Sequence, residues 1–179
     1  MEARVRADQI KGLIELGEFI NNFEIPIIEN VTKFWMIRSK GGYFYNEFVN
    51  SGFVALAWNY LDQKTVFTGD NLEILKDGVK ERYGDKVPQT AINKCERFIN
   101  DIQKGDFVVI PNKGSDEITI GKLGEYYEED YSDTREIVCI KKIENSEYEI
   151  GDVSCPYKKR RKLNVLLRVS SNRVGYISC

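Results

Sequence analysis

Between Pro88 and Glu128 the chain changes its hydrophobic period twice, and that change limits the folds open to it. "PQTAINKCERFINDIQ" places Ile92, Cys95, Phe98, Ile99 and Ile102 on one stripe at helical spacing, which predicts a helix over Pro88–Gln103. Lys104-Gly105-Asp106 then makes a corner. Gly105 accepts the left-handed backbone that ends a helix, and Asp106 can bond to nearby backbone. "FVVIP" follows as a strand, and Pro111, unable to donate to a ladder, marks its end or an edge. "NKGSDE" is the hairpin loop, and "ITIGKL" alternates as the returning strand, with a bulge or close backbone approach expected at Gly121.

The other segments extend this pattern. Arg4–Asn21 repeats its apolar residues at roughly helical spacing, and a linker containing Pro26 follows. "KFWMIR" at Lys33–Arg38 is β-rich and predicts a strand, which the paired glycines of "SKGG" end. "YFYNEFVNSG" fits a short helix stopped by Gly52, and "FVALAWNYL" reads as a strand buried on both faces. A helix is expected over Thr68–Lys80, with Asp70 as a possible N-cap, and further strands at Glu136–Ile143 and Lys162–Val169. Short strands, turn signals and interleaved helices without regular βαβ alternation predict an α+β protein. Its expected core is a small curved or closed, mostly antiparallel β-barrel with flanking helices. Residues 1–28 are read as an N-terminal helix and linker, and residues 29–179 as the barrel domain, which could be one domain of a longer protein.

Composition removes several chemistries. The chain of 179 residues has no histidine, so Ser-His-Asp and Cys-His catalysis and histidine-ligated metals are excluded. Cys95, Cys139, Cys155 and Cys179 form no CxxC pair, which suits ordinary thiols in a reducing cytoplasm. A formal net charge of −2 gives no global attraction to nucleic acid, so any such binding must come from a local patch. No apolar run is long enough for a membrane span, and no signal peptide is recognisable. "EIVCIKK" fails as a nuclease motif because Cys139 stands where the second acid is needed. Walker A and GxGxxG patterns are absent. No cofactor and no metal are expected.

Two features point to binding. Trp58-Asn59 ends an apolar segment: the ring either caps the core or offers a face to a planar base beside an amide. Arg38 and Ser39 fall at a strand end and could supply a donor and a hydroxyl. "YKKRRK" puts five cations in a row, Lys158, Lys159, Arg160, Arg161 and Lys162. Such a run is either a solvated face or a set of phosphate contacts.

"FWMIRSKGG", "ERFINDIQKGDFVVIPNKGSDEITIGKLGEYYE" and "YKKRRKLNVLL" together resemble the PUA-like superfamily, and within it the EVE-type domains found in prokaryotic restriction and defence proteins. The resemblance spans roughly Val31 to Val169. It departs from the family pattern at Lys40-Gly41, and at Asn112-Lys113 where many members carry His-Ser. It implies a small barrel holding a modified or flipped base in an aromatic-lined pocket, with Arg38, Ser39, Trp58, Asn59, Asn112 and Lys113 at the matching positions. The expected function is a non-catalytic sensor module in which Trp58 stacks on a base, Asn59 and Asn112 read its edge, and Lys158 to Lys162 contact phosphates. The expected partner is nucleic acid, DNA first, with an effector domain or partner subunit and no membrane. A pocket for a small nucleotide signal and a protein-interaction or oligomerisation domain are the alternatives.

Overall fold

The computed structural model describes residues 33–84 and 88–170. The chain divides after Val31, and every described residue belongs to the second part. The helix expected over Arg4–Asn21 lies outside the described residues. The described elements are β1 (Phe34–Met36), a turn at Ser39–Gly42, α1 (Tyr45–Ser51), β2 (Phe53–Leu56) and α2 (Asn71–Tyr83). They continue with α3 (Pro88–Glu96), a π-helical segment (Arg97–Asp101), β3 (Phe107–Pro111), β4 (Glu117–Glu128), α4 (Asp133–Glu144) and β5 (Lys159–Ser170).

The five strands form one sheet in the order β1-β3-β4-β5-β2. β1 pairs parallel with β3, and the other three pairings are antiparallel. This corrects the expected barrel. β1 and β2 are the two edges of the sheet and share no ladder, so the sheet is open and mixed. The reason is local. β1 is only three residues long, and a cleft lies between its residues, Leu56 at the end of β2, and the Arg97–Ile102 segment. The space that closure would fill is lined by side chains instead.

The hairpin behaves as its pattern predicts. The β4–β5 register shifts between Ile120 and Gly121, and a Cβ on Gly121 would meet Leu163 Cδ1 at 2.6 Å and Asn164 O at 2.7 Å. Only a residue without a side chain permits that approach. Phe98 and Ile102 join Phe44, Phe48, Phe53, Val108 and Leu123 in the main core. Leu61, Phe67, Val79, Ala91, Ile92 and Cys95 make a second cluster that ties α2 and α3 to the segment after β2. Burial of this apolar surface is the principal stabilising term.

One expected strand is a helix. Glu136–Ile143 lies inside α4, because the signal for it starts four residues earlier. Ser132 caps the helix by accepting from Arg135 N at 3.2 Å. Asp133 and Glu136 occupy the first turn and Lys141 and Lys142 the last, each favourable to the helix dipole. The β-branched run suggested a strand, while Glu136, Ile140 and Ile143 at helical spacing face inward.

Candidate functional site

The cleft at the sheet edge has a volume of about 430 Å³ and is built around Trp35. Strand β1 is positioned by the Lys-Gly-Asp corner. The buried Asp106 carboxylate accepts from Lys33 N at 3.1 Å, from Gln103 N at 2.9 Å and from the Trp35 indole Nε1 at 2.8 Å. One side chain thus clamps the strand, the end of the helix and the ring. Burial opposes ionisation of Asp106. The hydrogen bonds from Gln103, Trp35 and Lys33 outweigh it and hold the carboxyl below the usual aspartate value.

Cations surround this ring. Arg97 holds its guanidinium 5.1 Å from the centre of the Trp35 ring, and Lys33 its ammonium at 5.9 Å. Lys94, one turn before Arg97, also lines the cleft and lies 5.9 Å from the ring centre of Trp58. Arg38 completes the wall, with Phe34, Met36 and Leu56 as the apolar part. No carboxylate is among the lining residues. Phe34 and Met36 are 60% and 75% exposed, so the apolar rim is open to solvent.

The structure brings Arg38, Asn112 and Lys113 together. The Arg38 guanidinium donates to Lys113 O at 2.6 Å and to Asn112 O at 3.3 Å. The Ser39–Gly42 turn makes this docking possible. Gly42 has φ +90°, and a Cβ there would sit 2.5 Å from the Asn112 carbonyl carbon. The Asn112 side chain is engaged within its own loop: it donates to Asp116 Oδ1 at 2.7 Å and accepts from Glu117 N at 3.4 Å. Ser39 opens the turn.

Trp58 and Asn59 sit elsewhere, and the cleft is lined by neither Trp58 nor Asn112. Trp58 has φ +65°, a left-handed conformation that costs a bulky residue on the order of 1–3 kcal/mol. Buried charges hold it there. Glu136 accepts from Trp58 N at 2.7 Å, Asn59 N at 2.6 Å and Tyr83 OH at 3.0 Å, while Lys159 Nζ donates to Trp58 O at 2.5 Å. Burial raises the Glu136 carboxyl and lowers the Lys159 ammonium from their ordinary values. The Asn59 amide donates to Pro156 O at 2.9 Å and Ser132 O at 3.2 Å and accepts from Lys158 N at 2.8 Å. This residue is only 3% exposed, so it has no edge to offer a base.

The basic run is mostly interior, which corrects the phosphate assignment for Lys159, Arg160 and Arg161. They are 0%, 7% and 5% exposed. β5 begins at Lys159, three residues earlier than expected, and these side chains solvate main-chain carbonyls. Arg161 donates to Phe98 O and Ile99 O, both at 3.0 Å, and so serves the carbonyl end of the α3 and π-helical stretch. Arg160 donates to Cys155 O at 3.0 Å and Tyr157 O at 3.2 Å, and it lies 4.1 Å from the Phe53 ring centre. Lys158 is half-buried and paired with Asp62 at 2.8 Å and Glu128 at 3.7 Å. Only Lys162 of the five is exposed.

Trp35, Lys94 and Arg97 were not singled out in the sequence. A signal existed: "KFWMIR" sets an aromatic between Lys33 and Arg38, and Lys94 and Arg97 are three apart on the polar side of a helix. The cleft provides a guanidinium plane, indole and phenyl faces and positive charge. That chemistry suits stacking on a planar anionic ligand. Among the described residues, no three histidine, cysteine, aspartate or glutamate side chains are grouped to hold a metal ion, and no helix is long and apolar enough to cross a membrane.

A family model described as a domain of unknown function, DUF8426, matches residues 35–160, so the chain belongs to that family. The matched span begins at Trp35 and includes Arg38, Lys94, Arg97 and Asp106. No curated protein and no solved structure matches.

Proposed function

We propose that the chain is a nucleic-acid recognition domain whose cleft beside Trp35 seats one unpaired base, modified or flipped out of a duplex. The observation that carries this reading is the composition of the cleft. Arg38, Lys94 and Arg97 line it with no carboxylate, and the Arg97 guanidinium lies over the Trp35 ring. Its volume of about 430 Å³ suits a single nucleotide. Flipping or strand separation exposes the base faces that such a site needs. In this reading the stacking role given to Trp58 passes to Trp35 and Arg97, and Arg38 stays at the site. The wider role, a sensor module in a prokaryotic defence or restriction system, rests on the resemblance to EVE-type domains.

Arg97→Ala and Lys94→Ala test the site without disturbing buried groups, since both residues are exposed. Each is expected to weaken oligonucleotide binding about fivefold or more, as stacking and cation contacts contribute roughly 1–3 kcal/mol per base. Titration followed by tryptophan fluorescence reads the change. Unchanged affinity in the double variant, with its circular dichroism intact, would overturn the reading.

A further inference from the structure

A second groove, of about 620 Å³, lies across the β4–β5 ladder and is lined by Lys104, Lys122, Lys162, Ser51, Tyr127 and Asn164 among others, with no carboxylate in its wall. Its shape comes from a break in the sheet. The β4–β5 register shifts between Leu123 and Tyr126, and a Cβ on Gly124 would lie 2.9 Å from Lys162 Cβ. The lysine stem therefore crosses the ladder over a residue without a side chain. Gly52 and Gly105 also line this groove, leaving main chain within reach of a ligand.

The two grooves adjoin. Ile102 lines the first and Lys104 the second, and residues two apart have Cα atoms within about 7 Å. A stack of side chains makes a second connection. Phe34 of the first groove lies against Phe107 with ring centres 5.2 Å apart, and Lys122 of the second holds its ammonium 5.3 Å from the centre of the Phe107 ring. Phe34, Phe107 and Lys122 are cross-strand partners on one face of the sheet and Trp35 lies on the other, so a strand passing from one groove to the other rounds the β1 edge beside the Lys-Gly-Asp corner. Two exposed carboxylates compete: Glu125 pairs with Lys104 at 2.9 Å, and Asp101 pairs with Arg97 at 3.8 Å.

We propose that the two grooves are one track for a single polynucleotide strand, with a base at Trp35 and the neighbouring phosphates on Lys104, Lys122 and Lys162. This rests on the reading of the first cleft as a base site, and it makes the ligand a polymer and not a free nucleotide. A polymer gains from every phosphate that it lays along the track, whereas a mononucleotide gains nothing from the second groove.

The test compares thymidine monophosphate with an oligothymidylate of about eight nucleotides, within the span of typical single-strand sites. The oligomer is expected to bind at least about tenfold more tightly at low salt. Replacing Lys104, Lys122 and Lys162 together by Gln should abolish that gain and leave the mononucleotide affinity unchanged. It should also reduce the slope of log affinity against log salt by about 2, at roughly 0.7 per phosphate contact. Glu125→Gln, a surface change that releases Lys104, should tighten the oligomer alone. Wild-type oligomer affinity and salt slope in the triple variant would overturn the track, and so would equal competition by polyglutamate. The base reading survives either result if Arg97→Ala still weakens binding. Failure of the wild-type protein to bind either probe overturns both.

Discussion

Asp106 accepts hydrogen bonds from three donors that belong to different parts of the chain: Lys33 just before β1, Gln103 two residues after the π-helical segment, and the indole that forms the cleft. A carboxylate has acceptor capacity for all three, whereas an amide must turn its NH2 towards at least one of them. Asp106→Asn therefore leaves a buried donor without a partner and is expected to destabilise the fold by about 1–3 kcal/mol. It also releases the Trp35 ring, so ligand affinity should fall even where the protein remains folded. Urea unfolding and tryptophan emission, measured on the same samples, separate the two effects; a variant with unchanged emission and stability would show that Asp106 does not set the ring. The capacity of Asp106 to bond backbone was legible in the Lys-Gly-Asp corner. Its grip on Trp35 was not, because that contact joins residues 71 apart in sequence. Asn59 illustrates the converse. An amide beside a tryptophan suits base reading, yet its partners Ser132, Pro156 and Lys158 are distant in sequence and consume it.

The same division holds for the elements. The helix and hairpin between Pro88 and Glu128 were legible because their periods are local and strong, and the final helical turn differs only in widening to a π-type segment at Arg97–Asp101. In α4 the β-branched residues outweighed the charge order within Glu136–Ile143, Glu136 before Lys141 and Lys142, while the capping Ser132 and Asp133 precede that stretch. The basic run misled in a more instructive way. Lysines and arginines are rarely buried, so a row of them reads as surface. Here β5 runs past helix ends and turns, and its cations serve their carbonyls: those of Phe98, Ile99 and Cys155, and that of Trp58, which also accepts from Leu61 N. Arg161 is the clearest case and yields a prediction. Arg161→Gln should cost about 2–4 kcal/mol, because two buried carbonyls lose charge-assisted donors. It should leave the salt dependence of oligonucleotide binding unchanged, in contrast with Lys104, Lys122 and Lys162. A variant of wild-type thermal stability with a shallower salt slope would return Arg161 to the phosphate contacts.

At the scale of the whole molecule, α+β composition and a mainly antiparallel hairpin followed from pattern, but sheet closure did not. Whether β1 meets β2 depends on what stands between their ends, and Leu56, Phe98 and Ile102 stand there with the cleft. Opening the sheet and forming the candidate site are thus one structural event. Three acids, the buried Asp106 and Glu136 and the half-buried Asp62, also make contributions of opposite sign to stability as the pH changes. Asp106 is held below its ordinary value, and so is Asp62, where burial is outweighed by the hydrogen bonds from Lys158 and Lys64. The stability they supply is complete above about pH 3.9, the ordinary aspartate value, and is lost as the pH falls through their lower folded values. Glu136 is raised by burial. Between its folded value and about 4.3, the ordinary glutamate value, the folded state binds a proton that the unfolded chain does not, so acidification there adds stability. The two signs predict a curve with a maximum. On acidification from neutral pH, stability should rise as Glu136 takes up its proton, then fall below about pH 4 as the two aspartates lose their charge. Urea midpoints from neutral to acidic pH follow the curve, and Glu136→Gln isolates the first limb. Whatever its absolute stability, the glutamine variant should lack the rise that the wild type shows and keep the acid loss. If the two proteins have parallel profiles above pH 4, the Glu136 carboxyl does not titrate with the fold, and the hydrogen bonds from Asn59, Trp58 and Tyr83 balance its burial in full.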